Sequence, residues 1–287
     1  MADRRDWHEL PEGVRHAVER RIGTVLTAES PDAGRSSELS ATLSTARGRV
    51  FCKGVTVRSP LAWMHRNEVV VSPFLPEQLA PRLLWDIEVD GWLVLGFEHV
   101  PGRHATLSPD SDDLPLVVDA VDEVSRTAPP PSSTARRPMS AQWAKALEVE
   151  IGVAPPADAD PWSVANAGLL VEWASRAPEH MGGDRLIHSD LHSLNFLVSD
   201  RARVIDWAWW RTGAAWIDPA LLVIRLIAGG HDPDAAEKWA HNFDGFATAP
   251  HDAITAFAAS VLRVWERRFA GTPNTNAARR WVQYRLA

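Results

Sequence analysis

Two short runs constrain this chain more than any other feature: HSDLHSLN at residues 188–195 and VIDW at 204–207. Between them, FLV at 196–198 and RVI at 203–205 are strand-forming, joined by the polar turn 199–202. Pairing Val198 with Arg203 sets Leu197 opposite Val204, Phe196 opposite Ile205 and Asn195 opposite Asp206. Opposed residues of an antiparallel pair share a face, with Cβ atoms about 4.5–5.5 Å apart. An amide oxygen and a carboxylate that close suit Mg²⁺, a hard cation that takes oxygen ligands and leaves other positions to water or phosphate. Asp190, on the loop before this hairpin, is placed to meet a substrate hydroxyl. The chemistry implied is phosphoryl transfer.

Blander readings exist. Asp and Asn are ordinary turn formers at hairpin ends. His188, Asp190 and His192 alternate along an extended segment and would point one way, as the metal ligands of a hydrolase do. That reading lacks a distant His or Cys set at metal-binding spacing, and it leaves Asn195 and Asp206 unused.

Phosphoryl transfer also needs a cation on the triphosphate, with a partner to orient it. VFCKGV at 50–55 is an apolar strand with Lys53 in its middle, and Glu68 lies in AWMHRNEVVV at 62–71, helix-like after the Ser59–Pro60 start signal. A strand lysine followed by a helix glutamate is the pair that fixes a nucleotide-binding lysine. Upstream, SPDAGRSS at 30–37 is a polar loop between two strand-like runs, able to cover phosphates or simply to turn a hairpin.

In the order and spacing of these residues the chain resembles the aminoglycoside phosphotransferase and choline kinase-like family, small-molecule relatives of the protein kinases. The resemblance rests on HSDLHSLN, IDW at 205–207, Lys53 and Glu68, and it spans nearly the whole chain. It implies an α+β, bilobed protein kinase-like fold. The N-lobe would be 1–97, an antiparallel sheet plus helix; the hinge 98–103; and the C-lobe 104–287, mostly helical with a catalytic hairpin. It makes Asp190 the catalytic base and Asn195 and Asp206 the Mg²⁺ ligands. Lys53 would touch the α- and β-phosphates with Glu68 pairing to it, and Ser36 and Ser37 would lie on the phosphate loop. Backbone groups of Glu98 and Val100 would meet the adenine edge, and His188 would be a scaffold of the catalytic loop. The nucleotide would be ATP by default, or GTP. The acceptor would be a small hydroxylated molecule, an aminoglycoside-type or other antibiotic, or else an amino-alcohol or sugar-like metabolite. A catalytically silent nucleotide-binding protein on the same scaffold would need none of Lys53, Glu68, Asp190, Asn195 and Asp206. Two features depart from the family pattern: the phosphate loop lacks a run of glycines, and Ser189 stands where the family commonly has Gly.

Composition narrows the partners. Residues 1–100 carry 12 Lys and Arg against 14 Asp and Glu, and residues 101–287 carry 18 against 23, giving −2 and −5. Nucleic-acid binding by a basic surface is disfavoured. An acidic second half would attract a cationic acceptor, though mild acidity also serves solubility alone. Cys52 is the only cysteine, so no intrachain disulfide forms, and a reducing cytoplasm is the expected location. The N-terminal residues lack the apolar core of a signal peptide, and the longest apolar run, 219–230, is interrupted by Arg225. Neither a membrane nor a protein partner is expected.

Periodicity predicts a leading helix from Pro11 to Gly23 with Val14, Val18 and Ile22 inward, and strands near 24–28, 38–45, 50–57, 82–87 and 91–97. Helices are expected over 141–151, 164–177, 220–228, 252–270 and 275–286. Asp218 would be the N-cap of the third of these with Pro219 at its first position, and Gly229–Gly230 its stop; the family resemblance implies that Asp218 also braces the catalytic loop. Phe257, Val261, Trp265 and Phe269 recur at helical spacing and are expected in the core. Trp207, Trp209, Trp210 and Trp216 cluster after Asp206 in a chain with 14 Trp and one Tyr. Their expected role is packing, with Trp209 or Trp210 alternatively stacking on a ligand.

Overall fold

The computed structural model describes residues 4–31, 37–131, 138–150 and 159–287. Along the chain run α1 (Glu12–Ile22), β1 (Val25–Glu29), β2 (Leu39–Thr45), β3 (Gly48–Thr56), α2 (Ala62–Val71), β4 (Leu83–Val89), β5 (Trp92–Glu98) and β6 (Arg103–His104). Next come α3 (Asp113–Arg126), α4 (Met139–Glu150), α5 (Pro161–Ala165), α6 (Ala167–His180), β7 (Arg185–Ile187), β8 (Phe196–Val198), β9 (Ala202–Val204) and β10 (Arg211–Gly213). The chain ends with α7 (Ile217–Ala228), α8 (Pro233–Ala240), α9 (Asp244–Ala247), α10 (His251–Arg268) and α11 (Pro273–Leu286). The architecture is α+β. No helix among the described residues is long and apolar enough to cross a membrane.

The chain divides into two compact units. The first comprises the residues up to Arg103 together with Leu197–Trp210; the second comprises His104–Phe196 and Arg211–Ala287. The first holds a five-stranded antiparallel sheet of order β1-β2-β3-β5-β4. Its last hairpin turns on two residues, Asp90 at φ 49° and Gly91 at φ 76°, and closes the Val89–Trp92 pair. Two positive φ angles in succession are what a two-residue turn matched to strand twist requires. Strand alternation then sorts the side chains of β3. Cys52 faces one side with Val94 and the buried face of α1 (Val14, Val18, Ile22). Phe51 faces the other, with Leu95, Phe97 and Val69 of α2. Lys53 shares that second face and stands opposite Leu95. Gly96 is required by close packing, because a Cβ there would lie 2.3 Å from the Trp85 ring.

Segment 197–210 groups with the sheet for polar reasons. Val204 donates its N–H to Leu79 O at 2.7 Å, Asn67 Nδ2 donates to Ala208 O at 2.6 Å, and Trp210 Nε1 donates to Asn67 O at 2.7 Å. Trp207 and Trp210 are buried, as packing residues should be.

The second unit is built from α3–α11 and the small β7–β10 ladder. The apolar faces of α6 and α10 supply Leu170, Ala174, Phe257, Val261 and Leu262 to its core. Phe269 does not join them. It is 53% exposed, because α10 ends at Arg268 and Phe269 turns out of helical geometry.

Two local expectations are corrected. The turn between β8 and β9 is 199–201, closed by Ser199 N–H to Arg201 O at 3.0 Å, and the apolar Ala202 joins the strand and is buried. Burial alternates so that Val198 matches Ala202 and Leu197 matches Arg203, one residue off the expected register. Asn195 and Asp206 therefore lie outside the strands, Asn195 in a 3-10 turn (Ser193–Asn195) and Asp206 in left-handed backbone at φ 61°, ψ 59°. Asp218 is not an N-cap either: α7 begins one residue earlier, at Ile217, which leaves the Asp218 carboxylate free for another task.

Candidate active site

Each unit carries a polar cluster of its own. In the first, Lys53 Nζ lies 2.5 Å from Glu68 Oε2 and 3.1 Å from Asp206 Oδ1. Lys53 is 8% exposed and Glu68 is likewise buried. Burial alone would push the lysine down, but the Asp206 and Glu68 carboxylates more than reverse this and hold it protonated. Glu68 Oε1 also accepts the Trp207 N–H at 3.3 Å, so one carboxylate fixes both the lysine and the backbone just after Asp206. The Lys53 ammonium sits 5.7 Å from the Phe97 ring centroid. Ser37 Oγ is 3.1 Å from His65 Nε2, and burial, with Lys53 nearby, pushes His65 down to about 4, so its ring is neutral at pH 7. Ser36 lies outside the described residues. At the end of β5 the Glu98 N–H is committed to Arg82 O at 2.9 Å, and Val100 follows in irregular, half-buried chain.

The second cluster is the loop leaving β7. Asp218 accepts the N–H groups of His188 at 2.7 Å and Ser189 at 2.9 Å, one on each carboxylate oxygen. The fully buried His188 accepts the Asp190 N–H at Nδ1, 3.3 Å away, and so shapes the loop from within. Asn195 Nδ2 donates to Asp190 O at 2.8 Å, closing the loop from its far end. The Asp190 carboxylate is flanked by Arg225 Nη2 at 3.6 Å and His192 Nε2 at 3.8 Å. Among the described residues no group of three or more His, Cys, Asp or Glu side chains is arranged to hold a metal, so the hydrolase reading of His188, Asp190 and His192 finds no support.

Ser189 adopts φ 64°. Left-handed backbone costs a non-glycine residue roughly 1–2 kcal/mol, so this is a position where glycine is at ease and serine is held by its neighbours. Ser189→Gly is therefore expected to leave activity unchanged. It should raise stability by about 0.5–1 kcal/mol, relief of strain exceeding the added chain entropy. Chemical denaturation checks this, and a drop in midpoint would show the strain to be absent.

Burial pushes the Asp218 carboxyl up to about 7, against the two N–H donors that favour its charge, and Asp190 adds to the rise. A carboxyl raised in the folded state binds its proton more tightly there than when unfolded. Its contribution to stability is therefore full below the ordinary value near 3.8 and is lost as pH rises through about 7. Thermal midpoints should decline across that window, and Asp218→Asn should flatten the decline. An unchanged slope in the variant would assign the pH dependence elsewhere.

Sequence reasoning missed Asn67, His65 and Arg225. The first two had a signal: polar residues within three positions of Glu68 in a short helix otherwise rich in apolar residues.

No family model matches the sequence, and no curated protein matches it either. The fold is nevertheless a known one, the protein kinase-like fold of the aminoglycoside phosphotransferases. Aminoglycoside phosphotransferase APH(4)-Ia superposes with a TM-score of 0.63 at 14% identity, covering 95% of this chain and 97% of that one. Spectinomycin phosphotransferase APH(9)-Ia gives 0.61 at 11% identity over 96% and 97%. Choline kinase LicA from Streptococcus pneumoniae gives 0.60 at 14% identity over 95% and 99%.

Proposed function

We propose that this protein is a small-molecule kinase, a Mg²⁺-dependent O-phosphotransferase that moves the γ-phosphoryl group of ATP, or GTP, to a hydroxyl of an aminoglycoside-type or other antibiotic. The observation that carries this reading is the buried lysine held between two carboxylates, one from α2 and one from the left-handed residue at 206. A fixed ammonium of this kind serves to grip phosphate oxygens. Solved structures of similar fold include an APH(4)-Ia variant with ADP and hygromycin B and APH(9)-Ia with ADP and spectinomycin. The choline kinase of equal likeness favours a second reading, a kinase of a metabolic amino-alcohol.

In this scheme Lys53 binds the α- and β-phosphates, Glu68 keeps it aimed, and Ser36 and Ser37 belong to the loop over the phosphates. The Glu98 carbonyl and Val100 N–H meet the adenine edge, since the Glu98 N–H is already used by Arg82. Asp190 receives the acceptor hydroxyl's proton as its oxygen bonds to the γ-phosphorus, and the nucleoside diphosphate leaves with the broken bond's electron pair. Asn195 and Asp206 are suited to Mg²⁺, which needs only one or two protein oxygens beside phosphate and water. With Asn195 Nδ2 committed to Asp190 O, its amide oxygen is the atom left to face a cation. Bound Mg²⁺ would neutralise phosphate charge. Catalysis here is chiefly positioning and charge stabilisation.

The test is nucleoside diphosphate release from ATP and from GTP with Mg²⁺, across pools of hydroxylated antibiotics and of small metabolites, with mass spectrometry of each pool. Acceptor-dependent release names the substrate class. Nucleotide binding without transfer in any pool would favour a silent scaffold, and absence of nucleotide binding would sink the reading.

A further inference from the structure

Helix α7 is buried and apolar along nearly its whole length, from Ile217 through Ile227, yet Arg225 stands within it with a side chain only 11% exposed. A buried guanidinium is costly unless its charge and donors are met. Three contacts meet them. Arg225 Nε donates to Leu191 O at 3.2 Å, Nη2 lies 3.6 Å from Asp190 Oδ1, and the guanidinium carbon sits 4.9 Å from the Trp265 ring centroid. Burial pushes Arg225 down from its ordinary value, and Asp190 works against that shift.

The two polar contacts fall on consecutive residues of one loop, the backbone of Leu191 and the side chain of Asp190. A planar fork with donors at fixed angles ties both at once, while the Trp265 face fixes the plane of the fork. Asp190 is a loop aspartate, 34% exposed, with His192 Nε2 also 3.8 Å from its carboxylate. We infer that Arg225 is a positioning residue that aims the Asp190 carboxylate at the acceptor oxygen, acting through Asp190 rather than on substrate. The inference rests on the kinase reading above and adds to it a residue on a helix outside the catalytic loop. It also accounts for the one basic residue in a helix that is otherwise apolar apart from Asp218.

The test compares the parent with Arg225→Met and Arg225→Lys. The probe is Mg²⁺-ATP with water as the acceptor, so that no unidentified substrate is needed. Arg225→Met keeps the length and the contact with Trp265 but loses the fork. Its kcat is expected to fall about 100-fold, the scale of a misaimed catalytic group, with KM for ATP within about twofold of the parent. Arg225→Lys restores a cation beside Asp190 without the second donor and should recover about tenfold of that loss. An unchanged kcat in Arg225→Met overturns the inference. So does an equal loss in both variants accompanied by lowered thermal midpoints, which would make Arg225 merely structural. If Arg225→Met does not fold, the Lys variant carries the test, and parental kcat in it is the overturning result. A parent that neither turns over Mg²⁺-ATP nor phosphorylates any acceptor removes the kinase reading and the inference with it. An active parent with an unaffected Met variant removes the inference alone.

Discussion

Asp190→Asn is expected to abolish phosphoryl transfer, lowering kcat by about 10³-fold or more, while nucleotide affinity stays within about twofold. The size follows from removing a positioned proton acceptor. The selectivity follows from the hydrogen bonds around residue 190. The bonds that shape the loop use main-chain atoms of Asp190, its N–H to His188 and its carbonyl to Asn195, and an amide side chain leaves both in place. The lysine cluster that would take the nucleotide does not involve residue 190. Some stability is lost because Arg225 then faces a neutral amide instead of a carboxylate, which thermal melts will register. Isothermal titration with Mg²⁺-nucleotide, run beside the transfer assay, separates the outcomes. Parallel loss of nucleotide binding or of folding would mean that Asp190 has been given the wrong role.

The second large effect is expected at Lys53. Lys53→Met should weaken nucleotide binding by about 100-fold or more, and should cost roughly 3–5 kcal/mol of stability, the usual penalty for removing one partner of a buried ion pair. The stability loss comes from Glu68, left buried opposite a thioether with only the Trp207 N–H and a displaced proton equilibrium to satisfy it. The double substitution of Lys53→Met with Glu68→Leu separates the two effects. Removing both charges should recover most of the stability, since apolar replacements of a buried pair are often tolerated, but none of the affinity. Equal stability of the single and double variants would show that Glu68 carries no uncompensated charge. Unimpaired nucleotide binding in Lys53→Met would contradict the reading of the whole first cluster.

Part of the candidate site was legible because its residue types are improbable where they stand. A lysine inside an apolar strand and a glutamate inside a helix that packs on that strand require a reason, and their mutual charge supplies one. The sheet strands and α1 were readable from period-2 and period-3.6 alternation, with turn residues such as Asp90 and Gly91 marking the ends. The hairpin after Asn195 was readable as a hairpin but not in register. One residue decided it: Ala202, small and weakly patterned, was counted with the polar turn, whereas burial draws it into β9. Asp218 was misread as an N-cap for a related reason, although the family resemblance already pointed it toward the loop it braces. An Asp-Pro pair before an apolar run is a sound N-cap signal, but the carboxylate had stronger offers from the N–H groups of His188 and Ser189, 30 and 29 residues away.

What the sequence by itself determined is the inventory and the local order: which residues carry charge or metal-binding oxygen, which segments alternate, and where turns interrupt them. These depend on interactions among near neighbours in the chain. Only the tertiary structure decided which partners those residues take. The 3.1 Å contact of Lys53 with Asp206, the Asn67 bonds to Ala208 and Trp210, and the Arg225 fork on Asp190 and Leu191 each join residues far apart in the chain. A buried polar group takes whichever partner the packing of apolar faces brings within hydrogen-bond reach, and leaving it without one costs more than any local preference contributes.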